Sequence, residues 1–354
     1  MLIRSKAPLR VSFAGGGTDV PPFPQIEGGC VLSATINKYA FGTLRPRDNG
    51  HIRIESLDFG LTVECDLQTE LAYDGKLDMA KAAIRNLGGQ SASGFDLFLH
   101  TDVPPGSGLG SSSTLMIAVV GLLKEFKGLP LTSYEIAELA YTLERRELGI
   151  RGGLQDQYAA AFGGFNFIEF FDKQVVVNPL RVDQDTVNEL EHNFLLCFTG
   201  TTRVSDSIIN DQTERYERNE NDTVSGLRTQ KDLALKMKKA LLHGRLDDFG
   251  DLLNTAWEYK KKLSPRITNP TIDELYSEAR KTGALGGKIM GAGGGGFMLL
   301  YCPFEQKHKI AARLKQIGGS LSEFAFEEHG LQTWRVASSQ MALASIASIK
   351  EETG

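Results

Sequence analysis

The sequence predicts an α+β chain of two domains, and three observations predict it. Short runs rich in β-branched and aromatic residues alternate with helical patterns through the first half. Long charged helices dominate the second half. Between the halves, residues 181–191 are polar and mark a boundary, which places domains at 1–185 and 186–354. A chain of 354 residues is long enough for two such units with a sizeable core.

The elements follow in order. The run Val11-Ser12-Phe13-Ala14 reads as a strand, as do 30–44, 51–57 and 61–65, with the turn Asp48-Asn49-Gly50 between two of them. Residues 78–88 read as a helix and 94–101 as a strand. Helical patterns cover 112–127 and 132–148, the second opened by the start signal Thr132-Ser133-Tyr134-Glu135. Strands at 164–170 and 174–179 close this half. The second half begins with a strand at 194–199 and continues through helices at 205–219, 225–242, 246–262 and 271–281. Paired strands then flank a glycine run, followed by a helix at 305–317 and strands at 322–327 and 331–336. The charge run 211–222 reads as a solvated helix face.

Composition removes several classes of function. Net charge is −5, so no global basic field calls for nucleic acid. The longest apolar stretch, 115–123, is too short to span a bilayer, and the first ten residues lack the apolar core of a secretory leader. The four cysteines, Cys30, Cys65, Cys197 and Cys302, are scattered and form no CxxC or Cys/His cluster. They read as buried free thiols in a reducing cytoplasm. The oligomeric state is not legible.

The segment with the most chemical content is Pro104-Pro105-Gly106-Ser107-Gly108-Leu109-Gly110-Ser111-Ser112-Ser113-Thr114. It joins a strand to a helix. Its glycines allow close backbone approach to a bound group, and its hydroxyl residues sit at the helix start. Free N–H groups and the positive dipole end attract phosphate there, and hydroxyls can donate to phosphate or ligate Mg²⁺. The P-loop pattern is absent, so this is a different phosphate cradle.

The loop resembles the nucleotide-binding motif of the GHMP small-molecule kinases. Two further motifs occur in that family's order. Lys6-Ala7-Pro8-Leu9-Arg10-Val11-Ser12-Phe13-Ala14-Gly15-Gly16-Gly17-Thr18-Asp19 lies near the start. Gly286-Gly287-Lys288-Ile289-Met290-Gly291-Ala292-Gly293-Gly294-Gly295-Gly296-Phe297 lies near the end. The resemblance implies an N-terminal mixed-sheet domain, a C-terminal ferredoxin-like domain and an active site between them. It also implies ATP and Mg²⁺ as cofactors, with the nucleotide on Pro105, Gly106, Ser107, Gly108, Leu109, Gly110, Ser111, Ser112 and Ser113.

Matching residue by residue extends the site. Ser112 corresponds to the family serine that approaches Mg²⁺. The segment 144–157 is similar to the galactokinase pattern in which a helix-end Glu precedes a glycine turn and an Asp-Gln pair. Glu144 thereby matches the metal-binding Glu and Asp156 the catalytic Asp. Arg10 matches the arginine that orients that carboxylate and meets the γ-phosphoryl group. Two plainer readings stand beside these: Glu144 as one of several paired charges at a helix end, and Asp156 as a helix cap. Gly293 and Gly294 fit a tight turn against substrate and phosphates.

Gly16, Gly17, Thr18 and Asp19 form the expected sugar site. Galactokinases carry Glu and His where this chain has Gly16 and Gly17, which implies a larger or differently shaped sugar. Gly-Gly-Gly-Thr-Asp followed by Pro21-Pro22-Phe23 looks like the D-glycero-D-manno-heptose 7-phosphate kinases and echoes L-fucokinases. A phosphorylated sugar needs a second anion site. Thr201, Thr202 and Arg203, at a strand end before a helix, are its candidates, with Lys38, Arg45 and Arg266 as other cations. The resemblance implies ATP-dependent phosphorylation of the anomeric hydroxyl of a heptose 7-phosphate, for nucleotide-activated heptose in surface polysaccharides. L-fucokinase or another sugar 1-kinase is the alternative. An inactive relative that senses sugar and ATP is an alternative of another class.

Overall fold

The computed structural model describes residues 1–66, 71–88, 93–202 and 206–337. In the first half these form β1 (Leu2–Ala14), α1 (Phe23–Glu27), β2 (Gly29–Pro46), β3 (His51–Ser56), β4 (Leu61–Asp66), α2 (Asp78–Leu87), β5 (Phe95–Thr101), α3 (Ser111–Lys127), α4 (Ser133–Tyr141), α5 (Gln155–Phe162), β6 (Phe165–Phe170) and β7 (Val175–Pro179). The second half contains α6 (Gln184–Asn193), β8 (Phe194–Phe198), α7 (Asp206–Glu217), α8 (Asn221–Leu242), α9 (Leu246–Lys261), α10 (Pro270–Thr282), β9 (Gly286–Ile289), β10 (Phe297–Tyr301), α11 (Phe304–Gln316), β11 (Ser320–Ser322) and β12 (Gln332–Val336). The expected α+β class holds.

Eight strands form one mixed sheet in the order β12-β1-β2-β5-β3-β4, with β6 and β7 branching from β2. The 18-residue β2 pairs with β6 through its first half and with β5 through its second. Four strands form a second, antiparallel sheet in the order β11-β8-β10-β9. On this sheet alternate residues face opposite layers, as the period of two requires. Met298 and Leu300 pack with Ile272, Leu275 and Ile310 of α10 and α11. Phe297, Leu299 and Tyr301 join the core shared with α8, α9 and β1.

A register irregularity between Pro8 and Leu9 positions the site. Ile3 and Ala7 belong to the core under α3, whereas Leu9, Val11 and Phe13 belong to the core toward α8 and α9. Its partner β2 switches likewise: Ala40 and Leu44 lie in the first core, Leu32, Ala34 and Ile36 in the second. A local break in pairing changes which face each residue takes. Arg10 is thereby turned to the side where α5 packs.

Several expectations need correction. The polar stretch at 181–191 is largely helix, because Val187 and Leu190, three apart, anchor α6 on the core. The helix expected over 132–148 is α-helical only to Tyr141 and continues as a π-helical turn, Thr142–Glu147. The strand expected at 322–327 is short, ending at Ser322, with one isolated bridge from Phe326 to Ile36. Cys65 is half-buried, while the other three thiols are buried. The strand β12 pairs with β1, so the described chain ends in the first sheet. Among the described residues no helix is long and apolar enough to cross a membrane.

Candidate active site

The phosphate-type loop leaves β5 and enters α3 at Ser111. Gly110, at the N-cap, has φ +78° and no side chain caps the helix, so its first N–H groups are available. Gly108 (φ +83°) lies against the glycine turn of the second half. A Cβ there would meet the Met290 carbonyl oxygen at 2.6 Å. That contact and the Phe297 N–H donating to the Ser107 carbonyl at 2.9 Å join the two glycine segments backbone to backbone. The run 293–296 is a packed turn, its glycines lying against the backbone of Ile267, Thr201 and Ser107.

Arg10 is 3% exposed and ties three parts together. Its Nε donates to Asp156 Oδ1 at 2.7 Å, its Nη2 lies 2.6 Å from the same oxygen, and its Nη1 donates to the Gly108 carbonyl at 2.6 Å. Asp156 stands in the first turn of α5, whose N-cap is Leu154 with no side-chain cap bond. The capping reading of Asp156 therefore fails. Oδ2 of Asp156 accepts no hydrogen bond among the described residues.

Glu144 is 1% exposed, which removes the surface-pair reading. Its Oε2 accepts from Ser113 Oγ and Gln157 Nε2, both at 2.7 Å. Its Oε1 lies 3.2 Å from Ser112 Oγ and 3.1 Å from Arg145 Nη1. The π-helical turn, with Leu148 N–H reaching back to the Leu143 carbonyl, accommodates this inward carboxylate. Ser112 and Glu144 offer hard oxygen donors, which suits Mg²⁺, an ion that takes few protein ligands beside phosphate oxygens. Among the described residues no cluster of three or more His, Cys, Asp or Glu forms a cage of its own.

Asp19 is buried and lines the same cleft. Gly17 N–H donates to Oδ1 at 3.0 Å, and the Gln155 N–H and side-chain amide donate to Oδ2 at 3.2 and 3.1 Å. Burial raises its carboxyl above the usual range and the Asp156 charge adds to this, while the backbone N–H groups of Gln155, Gly17 and Asp19 itself pull it down. Gly16, Gly17 and Gly153 line the cleft beside it.

Not every expected site residue faces this cleft. Thr18 Oγ1 is buried and bonded to the carbonyls of Gly15 and Cys30 at 2.8 and 3.0 Å, so its hydroxyl shapes the turn and offers nothing to a ligand. Leu109 sends its side chain into the core, and its carbonyl accepts from the Arg10 N–H. Pro105 is exposed and Ser107 buried. Gly294 donates its N–H to the Ile267 carbonyl at 2.7 Å. Thr201 and Thr202 are exposed, with the Thr201 carbonyl taken by the Gly296 N–H. Arg203 lies outside the described residues. Arg45 is paired with Asp96 at 2.6 Å.

Conversely, the cleft holds residues that the motifs did not single out. Gln155 and Gln157 fix the two carboxylates at either side of Asp156. Two buried lysines, Lys260 of α9 and Lys288 of β9, line the cleft floor with Arg10 and Ser12. Lys288 stands inside a motif that was read for its glycines. Lys260 sits in a charged helix, where nothing in the pattern marks it as buried.

Residues 76–164 match the GHMP kinases N terminal domain and residues 237–319 match the GHMP kinases C terminal domain. The chain is 38% identical to the D-glycero-alpha-D-manno-heptose 7-phosphate kinase of Campylobacter jejuni, over 94% of this chain and 99% of that protein. It is 28% identical to the bifunctional fucokinase/GDP-fucose pyrophosphorylase of Arabidopsis thaliana, over 93% of this chain but 32% of that protein. Among solved structures it resembles a D-glycero-D-manno-heptose 1-phosphate kinase from Bacteroides thetaiotaomicron, with a TM-score of 0.80 and 34% identity, covering 95% of this chain and 100% of that one.

Proposed function

The chain belongs to the GHMP kinase family, and from that premise we propose that it transfers the γ-phosphoryl group of ATP to the anomeric hydroxyl of D-glycero-D-manno-heptose 7-phosphate, giving the 1,7-bisphosphate. Such a product suits the assembly of nucleotide-activated heptose. The observation that carries the transfer chemistry is the three-way contact of Arg10 with Asp156 and the Gly108 carbonyl. It joins a carboxylate to a nucleotide loop within one buried geometry. The heptose assignment rests on the end-to-end similarity to the Campylobacter jejuni enzyme.

The chain's own residues have distinct parts in this reading. Loop 106–114 and the start of α3 bind the phosphates through backbone N–H groups. Arg10 fixes Asp156 through Oδ1, leaving Oδ2 to take the hydroxyl proton or to align it. The sugar oxygen forms a bond to phosphorus as the β–γ bridging bond breaks, and ADP leaves. Asp19, held by Gly17 and Gln155, accepts from a sugar hydroxyl beside the glycine wall. Mg²⁺ at Ser112 and Glu144 would neutralise charge on the phosphate oxygens.

A coupled ADP-release assay tests this over phosphorylated and free heptose, fucose and mannose. The heptose 7-phosphate should give the highest kcat/KM. Preference for free fucose would move the enzyme to the L-fucokinases and keep the transfer machinery. No turnover with any sugar would favour the sensing relative.

A further inference from the structure

We propose that Lys260 and Lys288 form an anion subsite on the cleft floor that receives the phosphoryl group in transfer. The inference rests on the kinase reading above. Lys260 Nζ donates to the Ile289 carbonyl at 3.1 Å and also to the Gly291 carbonyl, leaving one N–H without an acceptor. Lys288 Nζ donates to the Ser12 carbonyl at 2.7 Å, leaving two. Among the described residues neither makes an ion pair, although Lys260 is 5% and Lys288 1% exposed. Buried charges are ordinarily paired, and these two amines, held only by carbonyls, have no counter-charge beside them when protonated.

The surroundings say where that counter-charge belongs. Both lysines line the same cleft as Arg10 and Asp156. Ser12 lines it too, and its Oγ is buried with no hydrogen-bond partner. The carbonyls that hold Lys260 belong to the strand and turn packed on Gly108. Lys260 therefore braces the turn that packs against the nucleotide loop. Burial and the nearby Arg10 depress both amines, the Lys260 charge further depresses Lys288, and only Asp19 opposes this. An arriving phosphate group would reverse that depression and hold the protons on. A transferring phosphoryl group develops charge on its equatorial oxygens, where fixed donors are most effective.

The test is a thermal-shift titration of the full chain with inorganic phosphate, against sodium chloride at matched ionic strength. Phosphate at about ten times its dissociation constant should raise the wild-type melting temperature by roughly 2 °C. Lys260→Met and Lys288→Met should each lose at least half of the rise, and the double variant all of it. A rise that survives in the double variant would assign the phosphate to loop 106–114 and overturn the proposal. So would a wild type that phosphate does not stabilise beyond chloride. Where the double variant does not fold, the two single variants decide. In the kinase assay Lys260→Met should lower kcat toward free and phosphorylated sugars alike. Loss confined to the phosphorylated sugar would overturn the assignment to the group in transfer. Turnover by the wild type with an unaltered phosphate response in the variants would sink this inference and leave the kinase reading standing.

Discussion

Arg10 and Asp156 lie 146 positions apart, yet the guanidinium grips a single carboxylate oxygen, Oδ1, through both Nε and Nη2. A side-by-side Arg–carboxylate pair would occupy both oxygens. This one leaves Oδ2 without a protein donor. The third guanidinium nitrogen is spent on the Gly108 carbonyl, so the same side chain sets the distance between the carboxylate and the phosphate loop. The arrangement depends on the register break at Pro8 and Leu9, which turns Arg10 toward α5.

Asp156→Asn should retain the fold and lower kcat by roughly 10²-fold or more, the scale of a lost acid–base group. ATP binding, followed by nucleotide fluorescence, should change little because the phosphate loop is untouched. A folded variant with near-normal turnover would remove Asp156 from the chemistry.

Gly153→Ala tests Asp19 without altering it. A Cβ at Gly153 would fall 1.9 Å from Asp19 Oδ2, so the carboxylate must move. The sugar's KM should rise at least tenfold, roughly 1.4 kcal/mol, a typical scale for a lost hydrogen bond to a charged group. KM for ATP should hold. A parallel rise in both constants would show that the whole cleft had shifted.

Much of this was legible because glycine and hydroxyl patterns are local. The phosphate loop, the Asp156 turn and the glycine turn each announce themselves within a dozen residues. The helix α6 escaped because its two apolar anchors, Val187 and Leu190, are outnumbered by polar neighbours. Thr18 looked like a ligand because hydroxyls in a Gly-Thr-Asp string serve ligands and turns equally well. Lys260 and Lys288 were illegible as site residues for another reason. Lysine is read as exposed by default, and only tertiary packing shows these two to be buried.

Glu144→Gln separates metal binding from bracing. The carboxylate accepts from Ser113 and Gln157 and pairs with Arg145, and an amide nitrogen would confront one of these donors. Loss of stability of about 1–3 kcal/mol is expected from a buried donor left unmatched. If Glu144 also serves Mg²⁺, the Mg²⁺ needed for half-maximal activity should rise about tenfold or more. A lower melting temperature with unchanged Mg²⁺ dependence would make Glu144 a brace alone.

The buried Lys260 should leave its mark on the pH dependence of stability. Burial, with Arg10 nearby, pushes its amine down to about 7, and Asp19 only partly offsets this. Below that pH the folded and unfolded chains both carry the proton, and the fold bears the full cost of the buried charge. Between about 7 and the ordinary lysine value of about 10.4, the folded amine is neutral while the unfolded one is still charged. The unfolded state then binds more protons, so this group's contribution makes stability rise with pH across that window. Lys288, depressed in the same direction and partly by Lys260 itself, adds to the slope, and removing Lys260 relieves part of that depression, which widens the difference between the two proteins. Urea midpoints of the wild type and Lys260→Met, taken from about pH 6 to about pH 9, should therefore diverge in the wild type's favour as pH rises. Saturating ATP should flatten that divergence, because an anion beside Lys260 keeps its proton bound. A difference that stays constant with pH would mean that the cleft hydrates Lys260 enough to leave it an ordinary, charged lysine.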